Sequence, residues 1–76
     1  MENIKTNIKT EYIKLDQLLK FSQIAESGSD AKDMILDGIV SVNDELCTMR
    51  GKKIRSGDKV TVNFDDETVI IDVGNE

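Results

Sequence analysis

Four cations stand close together in the second half of the sequence, with no acid among them. They are Arg50, Lys52, Lys53 and Arg55. Because like charges repel at short range, such a cluster costs the fold some stability, and it is typical of surfaces that bind phosphate. We interpret residues 50–55 as an anion-binding segment in preference to an ordinary solvated loop.

The residue types that are missing limit the chemistry further. The chain has no histidine and one cysteine, Cys47, which excludes an internal disulfide, a Cys/His zinc site and any histidine-based nucleophile pair. The aspartates are spread over predicted turns and helix surfaces, and no glycine-rich phosphate loop is present. The sequence therefore predicts a protein that is not an enzyme and needs no metal, cofactor or small-molecule substrate. Cys47 is interpreted as a half-buried hydrophobic residue of a strand.

Charge is distributed unevenly along the chain. The net charge is −5, which taken alone argues against a nucleic-acid partner. All ten basic residues lie within residues 1–60, however, where ten acids balance them, and residues 61–76 carry five acids and no base. The acidic excess therefore belongs to the C-terminal segment, which leaves the rest of the chain able to bind an anion.

The length of 76 residues predicts a single domain over 1–76. It would comprise an N-terminal strand or frayed arm at 1–11, a core motif at 12–62 and an acidic C-terminal hairpin strand at 63–76. No apolar run approaches the roughly 20 residues that span a bilayer, and the N-terminus lacks the apolar segment of a secretory signal. We expect a cytoplasmic monomer with no membrane partner.

The first half of the chain reads as a strand followed by two helices. Apolar or small residues alternate with polar ones over residues 3–12, which predicts a strand whose buried face holds Ile4, Thr6, Ile8, Thr10 and Tyr12. Spacings of three and four then predict a helix over 16–25 with one apolar side, formed by Leu15, Leu18, Leu19, Phe21, Ile24 and Ala25.

The second helix has recognisable signals at both ends. The Ser27 hydroxyl can accept from the Asp30 amide while the Asp30 carboxylate reaches back to Ser27, a pattern typical of a helix start. Gly38 is well placed to end the helix in a left-handed conformation.

After Gly38 the apolar pattern changes to a period of two. It predicts strands over 40–42 and 46–49 around a turn at Asn43-Asp44, and then a charged loop over 50–59 with a turn at 56–58. Two further strands follow, on either side of a turn at 65–67, and their buried faces hold Val60, Val62 and Phe64, and Val69, Ile71 and Val73. The order of elements predicts an α+β fold.

Four motifs, taken in order, resemble those of a known family. They are Lys14-Leu15-Asp16, Ser27-Gly28-Ser29-Asp30-Ala31-Lys32, Ile35-Leu36-Asp37-Gly38-Ile39-Val40-Ser41-Val42-Asn43, and the segment from Arg50 to Val60. Over roughly residues 12–62 the chain resembles the RNA-binding domains first seen in ribosomal small-subunit protein four. Residues 50–60 resemble the basic loop of the small stand-alone bacterial members, the YaaA-like group.

The resemblance implies both a fold and a function. The fold is a pair of short helices, the alpha-L motif, packed on a small, mostly antiparallel sheet. The function is non-catalytic binding of structured RNA, ribosomal or transfer RNA, in ribosome assembly or translation, with the ribosome as a partner. Lys14 stands where relatives have arginine and Gly28 follows the first serine in place of arginine, so the expected phosphate affinity is lower.

Nine residues are predicted to contact RNA. The amides that begin the second helix would face a phosphate, within a cationic rim contributed by both helices and by the basic segment. The predicted contacts are Lys14, Lys20, Gly28, Ser29, Lys32, Arg50, Lys52, Lys53 and Arg55. Base stacking is not expected, because Phe21 and Phe64 fall on predicted core faces and leave only Tyr12 among the aromatics.

Other interpretations stay open. Ser27 and Asp30 are also explained by helix capping alone, Lys14 and Lys20 by solvation of a helix surface, and Asn43 by its turn. An alternative function is a protein–protein interaction module that uses the acidic tail and the basic loop. A small sulfur or adenylate carrier is disfavoured, because such carriers end in Gly-Gly and this chain ends in residues 73–76, Val-Gly-Asn-Glu.

Overall fold

The fold comprises seven strands and two helices in a computed structural model that describes residues 1–76. The helices are α1, Leu15–Phe21, and α2, Gly28–Leu36. The strands are β1, Glu2–Ile8; β2, Ile13–Lys14; β3, Val40–Val42; β4, Glu45–Leu46; β5, Lys53–Ile54; β6, Lys59–Asn63; and β7, Thr68–Asn75. This arrangement confirms the predicted α+β class.

The seven strands form two separate sheets of unequal size. The larger sheet has five strands in the order β1-β7-β6-β3-β4. Only its β1–β7 pair is parallel, and the β6–β7, β3–β6 and β3–β4 pairs are antiparallel. The smaller sheet is an antiparallel ribbon of β2 and β5. The sheet is therefore mostly antiparallel, as the family resemblance implies.

One hydrophobic core joins the helices to the larger sheet. Alternate residues of β3, β6 and β7 point into it, because successive side chains of a strand face opposite sides. The predicted core positions Val60, Val62, Val69, Ile71 and Val73 are all buried. The helices contribute Leu15, Leu18, Leu19, Ala31 and Ile35, each fully buried.

Helix α1 ends earlier than the sequence predicts. Gln23 has a φ of 63°, and its amide donates to the Lys20 carbonyl while the Ile24 amide donates to the Leu19 carbonyl. This pair of bonds is the Schellman arrangement, which usually has glycine in the left-handed position. Because glutamine occupies that position, no residue type in the sequence marks the end of the helix.

Two aromatic side chains predicted in the core are instead exposed. Phe21 is 62% exposed, because at 100° per residue it lies about 110° from the centre of the stripe of buried leucines on α1. Phe64 is 38% exposed, because β6 ends at Asn63 and the Phe64 amide donates to the Glu67 carbonyl within the following turn.

Three strand predictions also change. Strand β1 stops at Ile8, so Thr10 and Tyr12 are exposed rather than buried. The return strand predicted over 46–49 is the short β4, and Leu46 in it is exposed. Residues 50–59 are not all loop, because β5 lies within them and places Ile54 in the core.

Helix α2 begins and ends as the sequence predicts. The Ser27 hydroxyl oxygen accepts from the Asp30 amide at 3.2 Å, although no bond returns from the Asp30 carboxylate to Ser27. Gly38 has a φ of 79° and its amide donates to the Ile35 carbonyl. Neither helix is long and apolar enough to span a membrane.

The conformation of Gly38 predicts a stability effect. We expect Gly38→Ala to lower the free energy of unfolding by about 1 kcal/mol, because a Cβ is unfavourable at positive φ. For a domain of this size that lowers the melting temperature by roughly 4–8 °C. Gly51→Ala is the matched control, since a Cβ there meets no atom within 4 Å. Equal melting temperatures for the two variants would contradict the assignment.

Candidate nucleic-acid interface

The ribbon of β2 and β5 positions the basic segment. Ile13 pairs with Ile54 and Lys14 pairs with Lys53. Ile54 is fully buried and Ile13 packs against the core. Because neighbouring side chains in a strand point to opposite faces, burying the two isoleucines turns both lysines towards solvent, and both lysines are exposed.

The outward face of the ribbon also carries an aromatic ring and an arginine. Tyr12 and Arg55 continue the register of the ribbon by one position and so belong to the same face as the lysines. The Lys53 ammonium lies 5.0 Å from the centroid of the Tyr12 ring, and the Arg55 guanidinium carbon lies 5.9 Å from it. We call these four residues, Tyr12, Lys14, Lys53 and Arg55, the ribbon face.

The cations of the ribbon face form no ion pair with an acid. The structure has two ion pairs, Lys9 with Glu76 and Lys59 with Asp44, and neither involves the basic segment. Lys14 and Lys53 are directly opposite one another, an arrangement of like charges that destabilises a sheet pair by roughly 0.2–1 kcal/mol. An unpaired cation cluster of this kind is suited to binding a polyanion.

The N-terminal end of the basic segment is held by α1. The Leu15 amide donates to the Lys52 carbonyl at 2.9 Å, and the Asp16 amide donates to the Arg50 carbonyl at 3.1 Å. Helix α1 has no side-chain cap at Lys14, so these carbonyls satisfy the first helical amides in its place. The start of α1 therefore holds the segment and is not available to bind phosphate.

Side-chain hydrogen bonds of Asp58 and Asn43, which we call the Asp58 clamp, hold the C-terminal end of the basic segment. One carboxylate oxygen of Asp58 accepts from the Arg55 amide at 2.8 Å, and the other accepts from the Asn43 amide nitrogen at 3.1 Å. The Asn43 side-chain oxygen accepts in turn from the Lys59 amide at 2.9 Å. These bonds confirm the turn at 56–58 and show that Asn43 is a turn residue that orients the backbone at Arg55.

The structure divides the predicted binding residues into two groups. Lys14, Arg50, Lys52, Lys53 and Arg55 come together at the ribbon, and all five are exposed. The other four lie on the helices: Lys20 in the last turn of α1, Gly28 and Ser29 at the start of α2, and Lys32 one turn further on.

The helix group makes no direct bond to the ribbon group. The amides of Gly28 and Ser29 have no protein acceptor, and no hydrogen bond or ion pair joins residues 27–32 to residues 50–55. That both groups contact one RNA surface stays a prediction, as does the role of each residue.

Tyr12 is the part of this surface that the sequence pattern did not predict. The signal that identifies it is a repeated alternation, Tyr12-Ile13-Lys14 in one segment and Lys53-Ile54-Arg55 in the other. Each stretch is too short for its period to be significant alone. The two define a face only when they are paired.

A groove borders the ribbon face on the side of β4. It has a volume of about 750 Å³, and its lining includes Lys52, Lys53, Arg55, Leu46 and Met49. The groove therefore has cations along one part and exposed apolar side chains along another.

Comparison with known proteins places the chain in a family. Residues 6–72 match the model of the S4 domain, and the chain therefore belongs to the S4 domain family, as the motifs predict. A similar protein is the "Probable ribosome maturation protein RlbA" of Bacillus subtilis (strain 168). It is 41% identical over 56 residues, which cover 74% of this chain and 79% of that protein.

The Asp58 clamp predicts that alanine and glycine at position 43 lower the stability of the protein by different amounts. Asn43 has a φ of 51°, so Asn43→Ala removes the hydrogen bonds and also places a residue that disfavours this conformation there. We expect it to lower the free energy of unfolding in urea by about 2 kcal/mol. Asn43→Gly should recover roughly half of that loss. If the glycine variant is the less stable of the two, the left-handed strain is not part of the effect.

The opposed lysines predict a substitution that stabilises the protein. We expect Lys14→Gln to raise the free energy of unfolding by about 0.2–1 kcal/mol at low salt, because it removes like-charge repulsion, and the gain should shrink as salt screens the pair. Lys20→Gln is the control with the opposite sign, since Lys20 lies favourably in the last turn of α1. A destabilised Lys14→Gln protein at low salt would rule out the repulsion.

Proposed function

We propose that this protein is a non-catalytic RNA-binding protein that docks on structured RNA through phosphate contacts of the ribbon face. The observation that carries the proposal is the exposed pairing of Lys14 with Lys53, neither of which forms an ion pair with an acid. An RNA phosphate bound between the two lysines would supply negative charge. The attraction of both lysines to the phosphate would then offset the repulsion between them that is present in the free protein.

Family membership supports the same function. RNA binding is what the resemblance to the ribosomal domains implies, and the relative from Bacillus subtilis is described as a ribosome maturation protein. We infer a role for this chain in ribosome assembly or translation, with ribosomal RNA, transfer RNA or the ribosome as its partner. It would act there as a monomer in the cytoplasm.

The arrangement of the cations favours contacts with the RNA backbone over contacts with the bases. Lys14 and Lys53 act as point charges for phosphate oxygens, whereas the planar guanidinium of Arg55 can donate two parallel bonds to one phosphate. The amides of Gly28 and Ser29, with Lys20 and Lys32 nearby in the sequence, would bind a further phosphate. Contacts of this kind position a protein on a helical stem without specifying its sequence.

The alternative, a protein-interaction module, has one observation in its favour. Leu46 and Met49 are each 63% exposed in the groove beside the cations, a surface that suits an acidic peptide with apolar residues. Against it, the C-terminal segment is not a free acidic tail, because β7 is paired with β1 on one edge and with β6 on the other. We therefore favour RNA.

A comparison of two charge-matched variants tests the proposal. Lys53→Ala with Arg55→Ala removes two cations from the ribbon face, and Lys5→Ala with Lys9→Ala removes two from elsewhere. We expect the first to weaken binding to a stem-loop RNA about tenfold or more and to lower the salt dependence of log K by about 1 to 2. The second should bind like the unmodified protein.

The readouts are filter binding over a salt series and in-cell crosslinking with sequencing of the attached RNA. Both variants are first shown to fold by circular dichroism. If the two variants lose affinity equally, the binding is non-specific and the ribbon face is not the site. If the captured partner persists after nuclease treatment, the protein-interaction alternative replaces RNA binding.

A further inference from the structure

Tyr12 presents an aromatic surface within the cationic ribbon face. Tyr12 is 37% exposed as a residue, and its backbone carbonyl accepts a bond from the Thr10 hydroxyl at 2.7 Å. We propose that the Tyr12 ring is a stacking platform for one unpaired nucleobase of the bound RNA, next to the phosphates held by Lys53 and Arg55. This inference rests on the proposed function and deepens it, because it names an RNA stem with an unpaired nucleotide as the target.

The environment of the Tyr12 ring favours binding of a nucleotide. Lys53 and Arg55 both lie over the Tyr12 ring at cation–π distance, so the base would stack on the part of the ring that these two cations leave open, next to the atoms that would hold its phosphate. A nucleotide consists of a flat base attached to a charged backbone, and surfaces that combine aromatic rings with cations are typical of unpaired nucleotides. A regular stem offers no free base to such a ring.

The three aromatic residues differ in the charges that surround them. Phe64 lies beside Asp65, Asp66 and Glu67, and this acidic turn repels a phosphate backbone. Phe21 lines an apolar groove whose one lysine, Lys9, is paired with Glu76. Tyr12 alone among them has two cations near its ring and neither cation has an acidic partner.

The backbone at Tyr12 is held in place by the ribbon. Ile13, directly after Tyr12, is paired with buried Ile54, so the backbone that carries the ring is anchored to the core. A platform that is already positioned loses little conformational entropy when a base stacks on it. A tyrosine in a loose terminal segment would not have this advantage.

The test uses two RNA stems that differ in a single base. Both carry one bulged nucleotide, which in one stem has its base and in the other is abasic, so the number of phosphates is the same. We expect the protein to bind the stem with the base about tenfold more tightly. Tyr12→Phe keeps a ring and should keep this preference, and Tyr12→Leu should abolish it while still binding the abasic stem.

Fluorescence gives an independent readout. Tyr12 is the only tyrosine and the chain has no tryptophan, so the intrinsic emission reports this one ring. Stacking predicts stronger quenching by the stem with the base than by the abasic stem at equal saturation. Equal affinities and equal quenching for the two stems would overturn the inference.

The outcomes also separate this inference from the proposed function. If the unmodified protein binds both stems equally and the Lys53 and Arg55 double variant binds neither, the stacking platform is wrong and the phosphate site stands. If that double variant binds as tightly as the unmodified protein, the ribbon face is not an RNA site and both proposals fail.

Discussion

Burial of Ile54 against the core, with Ile13 opposite it, is the contact on which the rest of the surface depends. Successive side chains of a strand point to opposite faces. Because the two isoleucines point into the core, the side chains of Tyr12, Lys14 and Arg55 point towards solvent. The cations do not hold this arrangement together, because they repel one another. Backbone bonds to the start of α1 and the Asp58 clamp hold the two ends of the segment. Apolar burial therefore holds the opposed lysines in place against their mutual repulsion.

The negative net charge is compatible with this surface because the acidic excess, which belongs to residues 61–76, and the ribbon face lie in different sheets. Of the acids after residue 60, three lie in the turn between β6 and β7, Asp72 lies in β7 of the larger sheet and Glu76 directly follows that strand, whereas the ribbon face belongs to the smaller sheet. No acid of residues 61–76 pairs with Arg50, Lys52, Lys53 or Arg55. Screening by salt further limits the influence of distant acidic residues on the ribbon face.

Local signals made much of the fold predictable. The valines of β6 and β7 alternate over enough residues to identify the buried face, and Ser27 and Gly38 mark both ends of α2 by residue type. The end of α1 could not be predicted, because Gln23 takes a conformation that usually belongs to glycine. The ribbon was missed because its two strands are each two residues long, and their shared face exists only once distant segments pair. The basic segment was therefore identified as a candidate site by charge, but Tyr12 was not.

The most direct test of RNA binding by the ribbon face is a titration of the isotopically labelled protein with an RNA stem, monitored by the amide resonances in nuclear magnetic resonance spectra. We expect the largest shifts at residues 12–15 and 50–55, with little change in the acidic turn at 65–67. Shifts confined to surfaces away from the β2–β5 ribbon would contradict this expectation.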